Sequence, residues 1–151
     1  MANPYAAIYD WEGQAIPADM SSAIYRFNGT NYSAYTKGAG SASRYIAPFQ
    51  AFFVQLTANN PTNLVFDRDN RAPTQPATRS KTAAYSIDGA DLHIEGMGGN
   101  VYDDLFVGFE TNSTSGFDND WDARKLLNKG ITPNLYVQFG PEAYSVCRVP
   151  F

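Results

Sequence analysis

The stretch that decides the fold is Ile24-Tyr25-Arg26-Phe27-Asn28-Gly29-Thr30-Asn31-Tyr32-Ser33-Ala34-Tyr35. Ile24, Arg26 and Asn28 fall on one side of an extended chain, and Tyr25 and Phe27 on the other. A strand points successive side chains to opposite faces, and Asn-Gly tolerates the positive φ of a tight turn. Period-two alternation around Asn28-Gly29 therefore predicts a β-hairpin. The same reading extends through Arg44-Tyr45-Ile46-Ala47-Pro48-Phe49-Gln50-Ala51-Phe52-Phe53-Val54, where Phe52, Val54 and Leu56 alternate with Phe53 and Gln55. The chain reads as an all-β protein with stacked aromatic side chains.

Outward from this hairpin, the pattern predicts strands over 23–27, 32–35, 51–56 and 63–66 in the first half. In the second half it predicts them over 84–87, 91–95, 104–110, 134–138 and 144–149. Leu105, Val107 and Phe109 share one face of the 104–110 segment, with Phe106 and Gly108 on the other. Asn59-Asn60-Pro61-Thr62-Asn63 is a turn cluster, and Gly96, Gly98, Gly99 and Asn100 mark a loop. Short strands at this spacing imply an antiparallel β-sandwich of jelly-roll type, with two layers packed through Tyr and Phe. The polar segment 67–82, with Pro73 and Pro76, reads as an exposed internal connection rather than a domain linker, because neither half alone has strands enough to close a core. Residues 1–151 are thus one module. One helix is expected, over 119–128. Asp118, Asp120 and Asp122 stand where unpaired N–H groups need acceptors, Arg124 and Lys125 follow, and Asn128-Lys129-Gly130 with Pro133 supplies a stop.

Bulk composition narrows the function. A chain of 151 residues buries roughly two thirds of its unfolded surface on folding, enough for a single core. Aromatics are 15% of residues and charged residues 17%, below the usual quarter or so. Net charge is −4 and there is no basic run, which argues against nucleic acid and against an anionic membrane surface. The single Cys147 permits no intrachain disulfide. No stretch is long and apolar enough to span a membrane, and Met1-Ala2-Asn3-Pro4 lacks the basic start and apolar run of a secretion signal. That opening reads as a fragment boundary, so a signal, if one exists, is expected outside these residues.

Several segments in order carry a family resemblance. They are Asn3-Pro4-Tyr5 with Asp10-Trp11, then Ile24 to Gly29 with Tyr32 and Tyr35, then Arg44 to Val54. Tyr102-Asp103-Asp104 running into Val107 and Phe109 follows, with Gly116-Phe117-Asp118 and Asp122-Ala123, and Leu135-Tyr136 and Tyr144-Ser145-Val146 close the series. Together they resemble a module of large surface proteins from the Bacteroidetes group, found upstream of type IX secretion sorting domains. The resemblance covers nearly the whole chain. It implies a secreted, cell-surface β-sandwich, adhesin-like or related to polysaccharides, and does not imply an enzyme. This chain departs from the family at Ala6, where a second Pro is usual, and at Ala51, where Gly is usual. Strands that family members carry before Asn3 and after Pro150 are missing, so the module is either a trimmed fragment or one whose open sheet edges pair with another chain.

Candidate sites follow from side-chain chemistry. A flat ring stacks on the apolar face of a sugar, so Trp11, Tyr32, Tyr35, Tyr45 and Trp121 are the candidate ligand-binding residues. Trp11, in a polar loop, is the one most expected to be exposed. Core packing is the competing reading for each. Asp118, Asp120 and Asp122 have the i, i+2, i+4 spacing of a calcium loop, and Asp103, Asp104 or Glu110 would complete an acidic metal site. Calcium is the one cofactor considered. An EF-hand is excluded, because Ala123 stands at the sixth position and Lys129 at the twelfth. The competing reading is that these acids cap the helix. Asn28, Asn31 and Asn112 match glycosylation acceptors and read as turn residues. His93, the only histidine, has no Cys or His partner at zinc spacing, and Cys147 reads as packing. The expected function is non-catalytic adhesion to a glycan or surface protein. The alternatives are assembly through sheet edges and a polysaccharide hydrolase fragment, which would need two positioned carboxylates.

Overall fold

The computed structural model describes residues 1–58, 63–72 and 91–151. Regular structure there is β: β1 (Ile8–Asp10), β2 (Met20–Phe27), β3 (Tyr32–Tyr35), β4 (Tyr45–Ile46), β5 (Phe53–Leu56), β6 (Arg71–Ala72), β7 (Asp91–Gly98), β8 (Val101–Phe109), β9 (Ala123–Arg124), β10 (Val137–Phe139) and β11 (Glu142–Val149). They form three sheets, ordered β4-β1-β6, β3-β2-β5 and β10-β11-β8-β7, with β9 joined to β11. Among the described residues the one helical element is a single 3-10 turn at Arg68–Asn70, and no helix is long and apolar enough to cross a membrane.

The hairpin read from Asn28-Gly29 is present. Phe27 pairs with Tyr32 and Ile24 with Tyr35, leaving a four-residue loop, 28–31, rather than a two-residue turn. The Asn28 carboxamide oxygen accepts from the backbone N–H groups of Thr30 and Asn31, both at 2.9 Å, and Gly29 takes a φ of +99°. An Asx turn of this kind uses the Asn side chain where a longer ladder would have used backbone.

β2 is buried on both faces from Met20 to Tyr25. Ile24 packs with Tyr9, Trp11, Tyr35, Ile46 and Phe52 in one core, to which β1 and β4 contribute. Ala23 and Tyr25 pack with Ala34, Ala123 and Val146 in a second core, with Phe106 against it. The all-β, sandwich-like class is therefore correct, but two layers become three sheets with a core on each side of β2. Strict inside-outside alternation cannot show this, because a strand covered on both faces has no solvent side. The β10-β11-β8-β7 sheet is also mixed, since β11 runs parallel to β8, with Cys147 opposite Val107.

The Asn3 side chain closes the start of the chain. Its amide donates to the carbonyls of Ala7 (2.8 Å), Ile46 (3.1 Å) and Ala47 (3.0 Å), and its oxygen accepts from the Tyr5 N–H at 3.0 Å. Fully buried at 1% exposure, it is satisfied by these four bonds. Gly40 closes the loop after β3. A Cβ there would stand 2.1 Å from the Ala34 carbonyl oxygen, at a φ of +112° that side chains rarely adopt.

Three expectations are corrected. Residues 119–128 form no helix. Asp118 O accepts from Trp121 N and Asp122 N, which makes one turn, and then Lys125 N donates to Ala143 O at 2.7 Å instead of back along a helix. Ala123–Arg124 is strand β9 against β11, so cross-chain pairing overrides the helix propensity of Ala-Arg-Lys-Leu-Leu. The segment 63–66 is not a strand. Its backbone is held by side chains: the Tyr5 hydroxyl donates to Phe66 O (2.9 Å) and the Gln14 amide to Val65 O (2.9 Å). Within the expected connection 67–82, Arg71-Ala72 instead forms β6 on β1. The expected strand at 84–87, the rest of that connection and residues 59–62 of the turn cluster lie outside the described residues.

Candidate functional site

Two open clefts of about 310 Å³ and 510 Å³ lie side by side and share Ile16 and Asp120; together they are termed the groove. Trp11, Glu12, Tyr35 and Lys37 line the first; Asn112, Phe117, Asp118, Asn119 and Trp121 line the second. The turn from Phe117 to Trp121 walls the second cleft and reaches the first through Asp120.

That turn is built from β2 outward. Ser22 N donates to Asn119 O at 2.9 Å, and the Ser22 hydroxyl donates to the carbonyls of Asn119 and Asp120, both at 3.0 Å. The Thr36 hydroxyl donates to the same Asp120 carbonyl at 3.0 Å. Two small buried hydroxyls on neighbouring strands thus consume the carbonyls that a helix would have used. From the other side the Asp122 carboxylate accepts from Asp118 N (2.8 Å) and from Arg148 N of β11 (2.8 Å). Asp118 in turn accepts from Thr114 N.

The turn presents two half-buried rings. Phe117 stacks on Tyr144 with centroids 5.8 Å apart, and the Arg124 guanidinium lies 4.2 Å over its ring. Trp121 has the Lys37 ammonium 5.3 Å and the Arg148 guanidinium 5.4 Å from its ring centroid. Lys37, at a φ of +37°, also pairs with Asp120 at 3.6 Å, and both are solvent-exposed. Two half-buried rings, each with a cation against it, stand beside carboxylates, carboxamides and one lysine, so the groove is mainly polar with aromatic edges and suits a polyhydroxylated ligand.

Asp122 is the titratable oddity of the turn. Burial pushes its carboxyl up from the ordinary 3.8 to about 6, against the lowering effect of the two backbone N–H bonds; nearby Asp118 adds to the rise and Arg148 opposes it. The folded chain therefore holds this proton more tightly than the unfolded chain. The stability it lends is complete below the unfolded value of 3.8 and is lost as pH rises through about 6. A carbon-detected titration of the Asp122 carboxyl is expected to show a midpoint near 6. A midpoint at the ordinary aspartate value would contradict the claim that burial outweighs the two N–H bonds.

Of the expected ligand-binding residues, the structure brings Trp11, Tyr35 and Trp121 to the groove and leaves Tyr32 and Tyr45 elsewhere. Trp11 is corrected from exposed to core. It is 3% exposed, its indole N–H donates to Ser22 O at 2.8 Å, and it meets Phe52 edge-on at 5.3 Å. Its loop is polar in sequence, but β2 and β5 fold over it. Tyr35 is likewise buried, its hydroxyl bonded to the Glu12 carboxylate and accepting from Gly38 N. Tyr32 joins Phe27 and Phe53 in a separate aromatic patch, and Tyr45 lies under the Arg44 guanidinium at 4.8 Å.

The five expected metal ligands do not converge. Asp103 is 1% exposed, ion-paired with buried Lys125, and accepts from Leu135 N at 2.6 Å. Asp104 bonds His93, Asp120 pairs with Lys37, and Asp118 and Asp122 cap backbone. Among the described residues, the one group of three or more metal-type side chains in reach of one another is His93, Glu95 and Asp104. The sequence reading missed it, because it left the partner of 91–95 open. A hairpin closed at Gly99-Asn100 places Glu95 opposite Asp104. Phe117 and Lys37 were missed too, for their neighbours come from distant strands. Cys147 is buried, with its thiol pushed up to about 11 by burial and then by Asp122. Cys147 pairs with Val107 and His93 with Phe106, adjacent residues of β8, so the two lie on opposite faces of the sheet.

No protein-family model, curated protein or solved structure matches this chain.

Proposed function

We propose that this chain is a non-catalytic, secreted cell-surface module that binds a glycan through the groove at Phe117 and Trp121. The carrying observation is a rigid turn, tied to β2 by Ser22 and to β11 by Asp122, that displays an indole beside Asp120, Asn119 and Lys37. Pre-organisation matters, because an already fixed turn loses little freedom on binding. The resemblance to Bacteroidetes surface modules upstream of type IX sorting domains supports the same reading of location and role. The turn of Asp118 to Asp122 adjoins the groove, so the assay is run with and without millimolar calcium.

Glycan-array binding by the intact chain tests the proposal. Trp121→Ala is expected to weaken any array hit about tenfold or more, while removing two cation–π contacts costs only ~1–2 kcal/mol of stability. Tyr45→Ala, outside the groove, is expected to leave binding unchanged. A flat array, or equal loss in both variants, would defeat the proposal.

A second reading, assembly through sheet edges, has one observation behind it. β7 stands at the end of its sheet, pairs only with β8 among the described residues, and exposes Leu92, Ile94 and Met97. An exposed edge strand is a template for strand addition. Light scattering after size exclusion decides between them: a concentration-independent monomer argues against assembly.

A further inference from the structure

The β7–β8 hairpin carries a cluster that lies apart from the groove. His93 and Glu95 are two residues apart on β7 and so share a face; Glu95 stands directly opposite Asp104 on β8, and His93 directly opposite Phe106. The His93 ring stacks on Phe106 at 4.2 Å and 9°, which fixes the plane of the imidazole. Its Nε2 is then 2.9 Å from Asp104 Oδ1 and 3.9 Å from Glu95 Oε1, and the three donor atoms all lie within 4.8 Å of one another. Around a tetrahedral ion with bonds of about 2.0–2.1 Å, donors sit roughly 3.3 Å apart. Glu95, at 3.9 Å from His93 Nε2, is the donor that must close in to reach that spacing.

We propose that His93, Glu95 and Asp104 form a site for one divalent transition ion of the zinc class. Two carboxylates directly opposite one another on paired strands repel, and a divalent cation between them turns that repulsion into shared ligation. The nitrogen donor favours zinc, cobalt or nickel over calcium, which takes oxygen ligands. Asp104 is nearly buried and would act as the anchored ligand, while half-exposed His93 and Glu95 close over the ion from solvent. Three protein donors leave one position for water or an external ligand.

The test is calorimetric titration of the EDTA-stripped and desalted chain with zinc chloride, with calcium chloride as the comparison. One zinc per chain is expected, with calcium binding much more weakly. His93→Ala and Glu95→Gln change exposed side chains; each is expected to lose about tenfold or more in zinc affinity while the far-ultraviolet spectrum is retained. Cobalt is expected to give visible absorption of a low-symmetry site that His93→Ala abolishes. A flat zinc isotherm up to millimolar, equal affinity for calcium, or zinc binding unchanged in folded His93→Ala would each overturn the proposal.

Discussion

Lys125→Met is expected to lower the unfolding free energy by about 3–5 kcal/mol, the cost of leaving one partner of a buried ion pair alone. For a chain of this length that is a fall in Tm of roughly 10–15 °C. Lys125 and Asp103 have side chains 2% and 1% exposed, and the ammonium contacts both carboxylate oxygens. Asp103 comes from β8, and Lys125 follows β9, so the pair ties those two strands beneath Leu135, whose N–H it also engages. Methionine matches the lysine stem in volume but offers the carboxylate nothing. The double change Asp103→Leu with Lys125→Met is expected to recover part of the loss, because neither member of the pair is then left as an unpaired buried charge. The Leu135 N–H, left without its acceptor, keeps about 1–3 kcal/mol of the penalty. Urea melts of the three variants check this. A Lys125→Met chain as stable as the parent would show that solvent reaches the pair.

Trp11→Ala is expected to cost a similar amount, about 3–5 kcal/mol, through the cavity it leaves among Tyr9, Ile24 and Phe52. The Ser22 carbonyl also loses the indole N–H, and Ser22 is the residue that holds Asn119 and Asp120 in place. The variant is thus expected to melt roughly 10–15 °C lower and to disturb the groove indirectly. This separates Trp11 from Trp121, where truncation is expected to weaken binding about tenfold or more with a smaller fall in Tm, roughly 3–6 °C. A Trp11→Ala chain with unchanged Tm would contradict its placement in the core. Calorimetric melts of both variants give the comparison.

How much of this the residues announced depends on the range of the forces involved. The hairpin around Asn28-Gly29 was legible because alternation and turn chemistry are local, and so were β5, β8 and β11. The third sheet was not legible. β1 and β6 are three and two residues long, and β6 falls in a stretch whose composition reads as a connection. The helix over 119–128 failed for a related reason: Asp118 and Asp122 do cap backbone N–H groups, as their type suggests, but Asp122 also caps a residue of β11. The acidic spacing was real and its use was different. In the groove, Trp121 was legible only as a candidate ring within the expected helix, while Trp11, the ring expected to be exposed in a polar loop, is buried. What separates them is the fold of β2 and β5 over one and not the other, which no window of sequence contains. The His93 cluster depended on register, since a one-residue slip of β7 would move His93 and Glu95 to the opposite face.

The central claim is that the Phe117–Asp122 turn is the surface this module uses. Amide and indole chemical-shift mapping, with the strongest glycan-array hit added to the labelled chain, tests it most directly. The account predicts that the Trp121 indole N–H and the amides of residues 112–122 and of Lys37 shift with a common saturation curve, while β7 and the Phe27–Tyr32–Phe53 patch stay still. Shifts confined to β7 or to that patch, with the Trp121 indole unmoved, would contradict it.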